Sequence, residues 1–269
     1  LFSLITVGYS ANALGGAGGP LAVLIIAIAA SELGKAVSKE TRVDILVTPL
    51  VTIFSGVGLS MLIAAPIGAA ASQVGTLIMW ATEQAPLVMG ILVSVIVGVA
   101  LTLPISSAAI CAALGLTGLA GGAAVAGCCA QMIGFAVMSY KENGVGGLVS
   151  QGLGTSMLQM GNIVKNPRIW IAPTLASAIT GPLATCVFHF EMNGAAVSSG
   201  MGTCGLVGQI GVYTGWVSDI AAGVKTAITP MDWAAMVLLC FVLPAVLSVI
   251  FCEVERKMGW IKEGDLKLN

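Results

Sequence analysis

His189 and Glu191 stand two residues apart in Val187-Phe188-His189-Phe190-Glu191-Met192-Asn193-Gly194, and soon afterwards Gly200-Met201-Gly202-Thr203-Cys204-Gly205 spells G-x-G-x-x-G. Two chemistries could follow. An imidazole beside a carboxylate can donate and accept hydrogen bonds to the hydroxyls of a sugar-like solute. A glycine triplet at that spacing can cradle a dinucleotide's pyrophosphate, provided a β-strand precedes it, a helix follows it and an acid lies about 20 residues on. Asp219 is near that distance, but Asn193–Ser199 is no convincing strand and the neighbouring segments are far too apolar for a soluble βαβ unit. The glycines need another reason.

Composition supplies the setting. Apolar residues make up 57% of the chain and charged residues 9%, against roughly 25% charged in an ordinary soluble domain, and the mean hydropathy is +1.01. Between Glu83 and Lys141 lie 57 residues without a formal charge, and between Asp44 and Glu83 another 38. A single membrane helix needs only about 20 apolar residues, so several spans are required. A net charge of −1 carries no polybasic stripe and argues against nucleic acid as a partner. The seven cysteines (111, 128, 129, 186, 204, 240 and 252) form no C-x-x-C pair. They read as small packing residues, with no metal or cofactor expected. The chain opens at Leu1 inside an apolar run, which reads as a membrane domain with N-terminal helices missing.

The expected fold is an all-α polytopic bundle with spans at about 20–36, 45–67, 86–103, 105–120, 122–140, 169–188 and 233–252. Segment 143–164 is glycine-rich and reads as interfacial or partly inserted. Short cytoplasmic loops collect Lys and Arg, which places Lys35, Lys39 and Arg42, then Lys141, Lys165 and Arg168, and finally Arg256 and Lys257 on the inner side. That parity leaves residues 195–222 unable to cross as one span. The repair is a re-entrant hairpin broken at Gly200–Gly211, since irregular backbone at membrane depth survives where it is buried in protein or lines a cavity. A second glycine-rich segment, Gly8 to Pro20, repeats the pattern near the start. Broken segments of this kind suggest a transporter built on repeats.

Candidate substrate contacts are therefore His189, Glu191, Asn193, Gly202, Thr203, Gly205 and Gln209, with Asn166 and Arg168 at the start of the preceding span. Ionisable residues at membrane depth suggest function, while a surface loop would hold His189 and Glu191 without cost. Tyr9, Asn12, Ser106 and Ser107 could also line a pathway. Thr229-Pro230-Met231-Asp232 has the form of a capped helix start, Asp219 and Lys225 are expected to face water or pair near the interface, and Glu83 to sit in a loop.

At NPRIWIAPTLASAITGPLATCVF, followed by GMGTCGLVGQIG, the sequence resembles the membrane (IIC) component of phosphoenolpyruvate-dependent sugar phosphotransferase systems, nearest to its PfoR-type branch. The resemblance runs from about Leu1 to Arg256. It implies one EIIC-like transmembrane domain over residues 1–269, with a short cytoplasmic tail at 253–269, in a prokaryotic inner membrane. It also implies a homodimeric sugar permease with re-entrant hairpins, in which a buried glutamate and a histidine contact the sugar; Glu191 and His189 are the nearest candidates here. No segment of the sequence is large enough for a soluble phosphoryl-carrying domain, so a separate cytoplasmic IIB-like or regulatory protein would be the partner. The alternative is an EIIC-like sensor that binds a ligand without moving it. An integral-membrane enzyme is the weakest reading, because no nucleophile–base pair or metal cluster is visible.

Overall fold

The computed structural model describes residues 19–38 and 44–268. Among the described residues every regular element is helical, and the only β-type contact is an isolated bridge between Gly118 and Met192. Four helical stretches are long and apolar enough to cross a bilayer: Asp44–Gln84, Gly118–Met138, Pro167–Val187 and Pro230–Lys257. The expected all-α, multi-pass membrane architecture is what the chain adopts. The Gly8–Pro20 segment, Tyr9, Asn12, Lys39 and Arg42 fall outside the described residues or at their edge.

The chain divides into two compact units. The first extends to Thr76 and includes Ala112–Leu114. It contains α1 (Gly19–Val37) and most of α2 (Asp44–Gln84), which pack through Ala22 and Ile26 against Ala64, with Leu59, Ile63 and Ile67 beside them. Only 17% of the most apolar window of α2 is buried, so its outer surface is suited to lipid.

The remaining helices are α3 (Pro86–Thr102), α4 (Ser107–Leu114), α5 (Gly118–Met138), α6 (Tyr140–Val149), α7 (Met160–Lys165), α8 (Ile171–Pro182), α9 (Val207–Ala221), α10 (Pro230–Val237) and α11 (Leu243–Lys257). In the second unit α5 is the axis, with 89% of its most apolar window buried. Lipid offers little hydrophobic drive between helices, so they associate through close packing and interhelical hydrogen bonds. Both are present. A Cβ on Gly98 of α3 would stand 2.8 Å from the Gly127 carbonyl of α5. Gln131, fully buried on α5, accepts hydrogen bonds from Thr102 Oγ1 (3.3 Å) and Trp170 Nε1 (3.0 Å) and donates to Thr174 Oγ1 (3.2 Å). One side chain thus ties α3, α5 and the start of α8 together with its polar atoms satisfied.

Three expectations change. The span at 105–120 is instead α4, eight residues long and so about 12 Å, too short to cross. Left-handed backbone at Gly115 and Gly118 (φ +65° and +63°) ends it and turns the chain into α5. The span at 45–67 continues without interruption to Gln84, and Glu83 lies in the last turn of that helix rather than in a loop. With one expected crossing removed, the charge parity between Lys35 and Lys141 no longer closes, whereas the parity between Arg168 and Arg256, which keeps 195–222 from crossing as one span, is unaffected, Lys141 pairing with Glu253 and Arg256 with Glu142. The break there rests on the backbone itself. Residues 196–200 form a 3₁₀ turn, Gly202, Gly205 and Leu206 have φ of +54°, +54° and +59°, and α9 begins only at Val207. No strand precedes the G-x-G-x-x-G motif, which removes the dinucleotide geometry. Segment 143–164 is broken as well, with left-handed Gly144 (φ +59°), a π turn at Ser150–Gly154 and a 3₁₀ turn at Ser156–Gln159.

Gly202 bears two constraints at once. Its φ is left-handed, and a Cβ there would meet Cys128 Cβ at 2.7 Å. Gly202→Val should lower stability by about 1–3 kcal/mol from backbone strain, with overpacking against α5 adding to it. Gly58→Ala on α2, where the added methyl meets nothing within 4 Å, should leave stability unchanged or raise it. Melting temperatures of the two variants in detergent check the contrast.

Candidate functional site

Helix α8 does not end in a simple cap. It passes into a π turn at Leu183–Val187, and the Phe190 N–H bonds back to the Ala184 carbonyl at 2.8 Å. Between them His189 takes φ +45°, a left-handed conformation that costs a non-glycine residue roughly 1–2 kcal/mol. From there the chain runs extended. Phe190 and Met192 turn inward to a core with Ala184, Val212, Trp216 and Leu239, while His189 and Glu191 are exposed. Period-two alternation is what an extended segment imposes on its side chains. Two backbone bonds of 3.0 Å, exchanged between Met192 and Gly118, pin this segment to the start of α5.

Helix α9 supplies the opposite wall. A Cβ on Gly215 would stand 2.8 Å from the backbone nitrogens of both Asn193 and Gly194, so only glycine lets helix and extended segment come this close. One turn further on, Asp219 lies on the same helix face. Asn193 Nδ2 then donates to Glu191 Oε2 (3.1 Å) and to Asp219 Oδ2 (2.9 Å), joining two carboxylates through one amide.

The third wall is the start of α10. Thr229 and Asp232 form the expected capping box: Thr229 N–H and Oγ1 donate to Asp232 Oδ2 at 2.7 and 2.8 Å, and Asp232 N–H donates to Thr229 Oγ1 at 3.3 Å. The other carboxylate oxygen, Oδ1, receives Lys225 Nζ at 2.7 Å. The same ammonium lies 5.1 Å from the Trp216 ring centroid, within cation–π range. Trp233 meets Trp216 edge-on at 5.6 Å and Tyr213 at 5.9 Å. Together these walls enclose a cavity of about 360 Å³ whose polar lining is His189, Glu191, Asp219, Lys225 and Asp232. Among the described residues, His189 has no hydrogen-bond partner, and Glu191 Oε1 and Asp219 Oδ1 receive no donor.

Of the sequence-based candidates, His189 and Glu191 line this cavity and Asn193 braces it. The others lie elsewhere. Thr203 is fully buried and donates to the Gly152 carbonyl at 2.6 Å, so its hydroxyl does not share the cavity of Glu191 as the sequence reading expected. Gln209 is buried and donates to Cys129 Sγ at 3.3 Å, and its Oε1 has no partner among the described residues. Gly202 and Gly205 shape the break before α9. Asn166 accepts from the Arg168 N–H (3.3 Å) and donates to the Trp260 carbonyl (2.9 Å) and Asp265 Oδ2 (2.8 Å). Arg168 stacks on Trp260 at 5.6 Å, and Asn166 borders a second, separate cavity of about 420 Å³ with Lys165, Asp265 and Lys267. Ser106 Oγ accepts from the Ala109 N–H at 3.2 Å within the first turn of α4, and Ser107 Oγ ties α4 to the break, donating to the Gly200 carbonyl at 2.7 Å.

Asp219, Lys225, Asp232 and Trp216 are the cavity residues that sequence reading did not select. Asp219, four residues after Gly215, was the available signal once the glycine face is assigned to packing.

Helical spans and a polar cavity beside a broken, glycine-lined helix, among the described residues, define the class as a multi-pass membrane protein. The chain matches the family model described as "Phosphotransferase system, EIIC" over residues 3–268 and belongs to that family. No curated protein and no solved structure matches it.

Asp232 holds both the helix cap and the lysine. A lost cap costs about 1 kcal/mol, and an ion pair with side chains 26% and 24% exposed contributes less than about 1 kcal/mol. Asp232→Ala should therefore destabilise more than Lys225→Met. Melting curves of the single and double variants check this, the double being less destabilised than the sum of the singles.

Proposed function

We propose that this protein is the solute-translocating membrane component of a phosphotransferase-type uptake system. In this reading it binds a sugar or sugar-like solute in the cavity of His189, Glu191 and Asp219. The observation that carries it is that hydrogen-bonding capacity points into the cavity unused, at the His189 imidazole, Glu191 Oε1 and Asp219 Oδ1. Those groups offer the mixture of donor and acceptors that hydroxyls require. Trp216 borders the cavity but is only 5% exposed and carries the Lys225 ammonium over its ring, so in this reading it positions the lysine.

The break at Gly200–Leu206 acts in this reading as a re-entrant turn that sets α9 against the extended segment. Local change at the turn would then alter the distance between Asn193 and Asp219. Membership of the EIIC family supports a permease role without chemistry of its own, with phosphoryl transfer supplied by a separate cytoplasmic IIB-like protein. The protein would work as a homodimer in a prokaryotic inner membrane.

Purified protein in liposomes should accumulate a sugar that also raises its melting temperature, because a ligand that binds only the folded state stabilises it. Glu191→Gln should weaken that binding about tenfold, the loss expected when a charge-assisted hydrogen bond becomes a neutral one. Stabilisation without accumulation would favour the sensor reading. A melting temperature indifferent to every sugar and polyol would remove the site itself.

A further inference from the structure

The cavity holds more negative charge than a neutral polyol needs. Glu191, Asp219 and Asp232 face it against the single ammonium of Lys225, which leaves a formal charge of −2 with His189 neutral. That excess is not evenly placed. Lys225 and Asp232 neutralise each other at 2.7 Å, so the surplus belongs to Glu191 and Asp219. These two are held together by the neutral amide of Asn193, which binds one oxygen of each and compensates the charge of neither. Their remaining oxygens, Oε1 and Oδ1, have no donor among the described residues.

The opposite side of the cavity already shows how a cation is held. The Lys225 ammonium sits on the face of Trp216 and on Asp232, an aromatic ring combined with a carboxylate, the surroundings that retain ammonium groups. Its tether is short. The N–H groups of Val224 and Lys225 both bond the Asp219 carbonyl, at 2.9 and 3.1 Å, so the lysine loop is anchored to the residue that carries part of the surplus charge. A carboxylate is acceptor-only, and two of them close together favour a ligand that brings donors and positive charge.

We infer that the ligand of this site is a polyhydroxylated solute bearing a protonated amine, with the amine held between Glu191 and Asp219 and the hydroxyls shared among His189, Lys225 and Asp232. This rests on the cavity's being the solute site, as proposed above, and adds the charge of the solute. Anionic solutes, phosphorylated sugars included, are excluded by the same carboxylates.

Three six-carbon chains of nearly equal size and different charge test this: sorbitol (neutral), glucamine (cationic at neutral pH) and gluconate (anionic). Melting temperatures of the full chain in detergent are measured against each at low salt. Glucamine should act at about tenfold lower concentration than sorbitol, the factor that one additional charge-assisted hydrogen bond contributes, and gluconate should have no effect. The advantage should shrink in about 0.5 M salt, where the Debye length is only a few ångström. In the double variant Glu191→Gln with Asp219→Asn the glucamine-to-sorbitol ratio should fall toward one, and in Lys225→Met it should rise. Sorbitol matching or exceeding glucamine in the unaltered protein would overturn the charge assignment and leave the site reading intact. No response to any of the three, or a ratio unchanged in the double variant while glucamine still stabilises, would overturn both.

Discussion

The close approach of α9 to the extended segment after His189 is the contact on which the site depends. At Gly215 a helix face comes within a Cβ's reach of the Asn193 and Gly194 backbone, a separation that any side chain would widen. That spacing brings Asn193 within hydrogen-bond distance of Asp219, positions Trp216 beside Phe190 and Met192, and leaves the His189 edge facing Lys225 and Asp232. The same segment is held from the other side by α5, where Gly122 meets the Phe190 carbonyl. Small residues on both sides let one short extended run lie between two helices, as membrane packing allows when lipid gives no hydrophobic advantage to larger side chains.

Polar atoms inside the second unit are arranged by a related rule. Backbone and side-chain polar groups shielded from water need partners within the protein. Gln131 meets this with Thr102, Trp170 and Thr174, and Ser94 Oγ donates to the Ser177 carbonyl at 2.8 Å. At the end of the bundle that includes residues 139–168, Gln151, Gln159 and Asn162 form a chain of carboxamides ending on the backbone of Leu266 and Lys267. Glu142 accepts Arg256 Nη2 at 3.0 Å and the Leu266 N–H at 2.9 Å. The network holds the C-terminal segment against the broken stretch 140–166. Near the other end His189 and Glu191 are exposed, and Glu191 and Asp219 each have one oxygen held by Asn193 Nδ2 and one without a donor among the described residues.

Much of this was open to a reader of residues alone. Charge depletion required several helices, Thr229-Pro230-Met231-Asp232 announced its capping box, and the glycines of 200–211 marked a break. His189 and Glu191 stood out because ionisable groups are rare in such a chain. Other features escaped for physical reasons. Residues 105–120 look like a span by hydropathy, yet left-handed glycines at 115 and 118 terminate the helix, and apolar composition does not register φ. Thr203 looked like a cavity hydroxyl because it lies in the motif, but the turn directs it to the Gly152 carbonyl. Asp219 and Lys225 looked like boundary charges because their partners, Asn193 and Asp232, are 26 and 7 residues away in sequence.

The sequence by itself determined that this chain is a polytopic helical membrane protein with a glycine-broken segment, because composition, charge spacing and local turn chemistry are properties of neighbouring residues. Only the tertiary structure decided which polar groups meet. A hydrogen bond spans about 3 Å, whereas the residues that make the cavity come from the end of α8, the middle of α9 and the start of α10. Their convergence depends on a separation at Gly215 that no local pattern encodes. The G-x-G-x-x-G motif accordingly serves neither a nucleotide nor the cavity lining: it breaks the chain so that α9 can begin at Val207 and carry Gly215, Trp216 and Asp219 to their places.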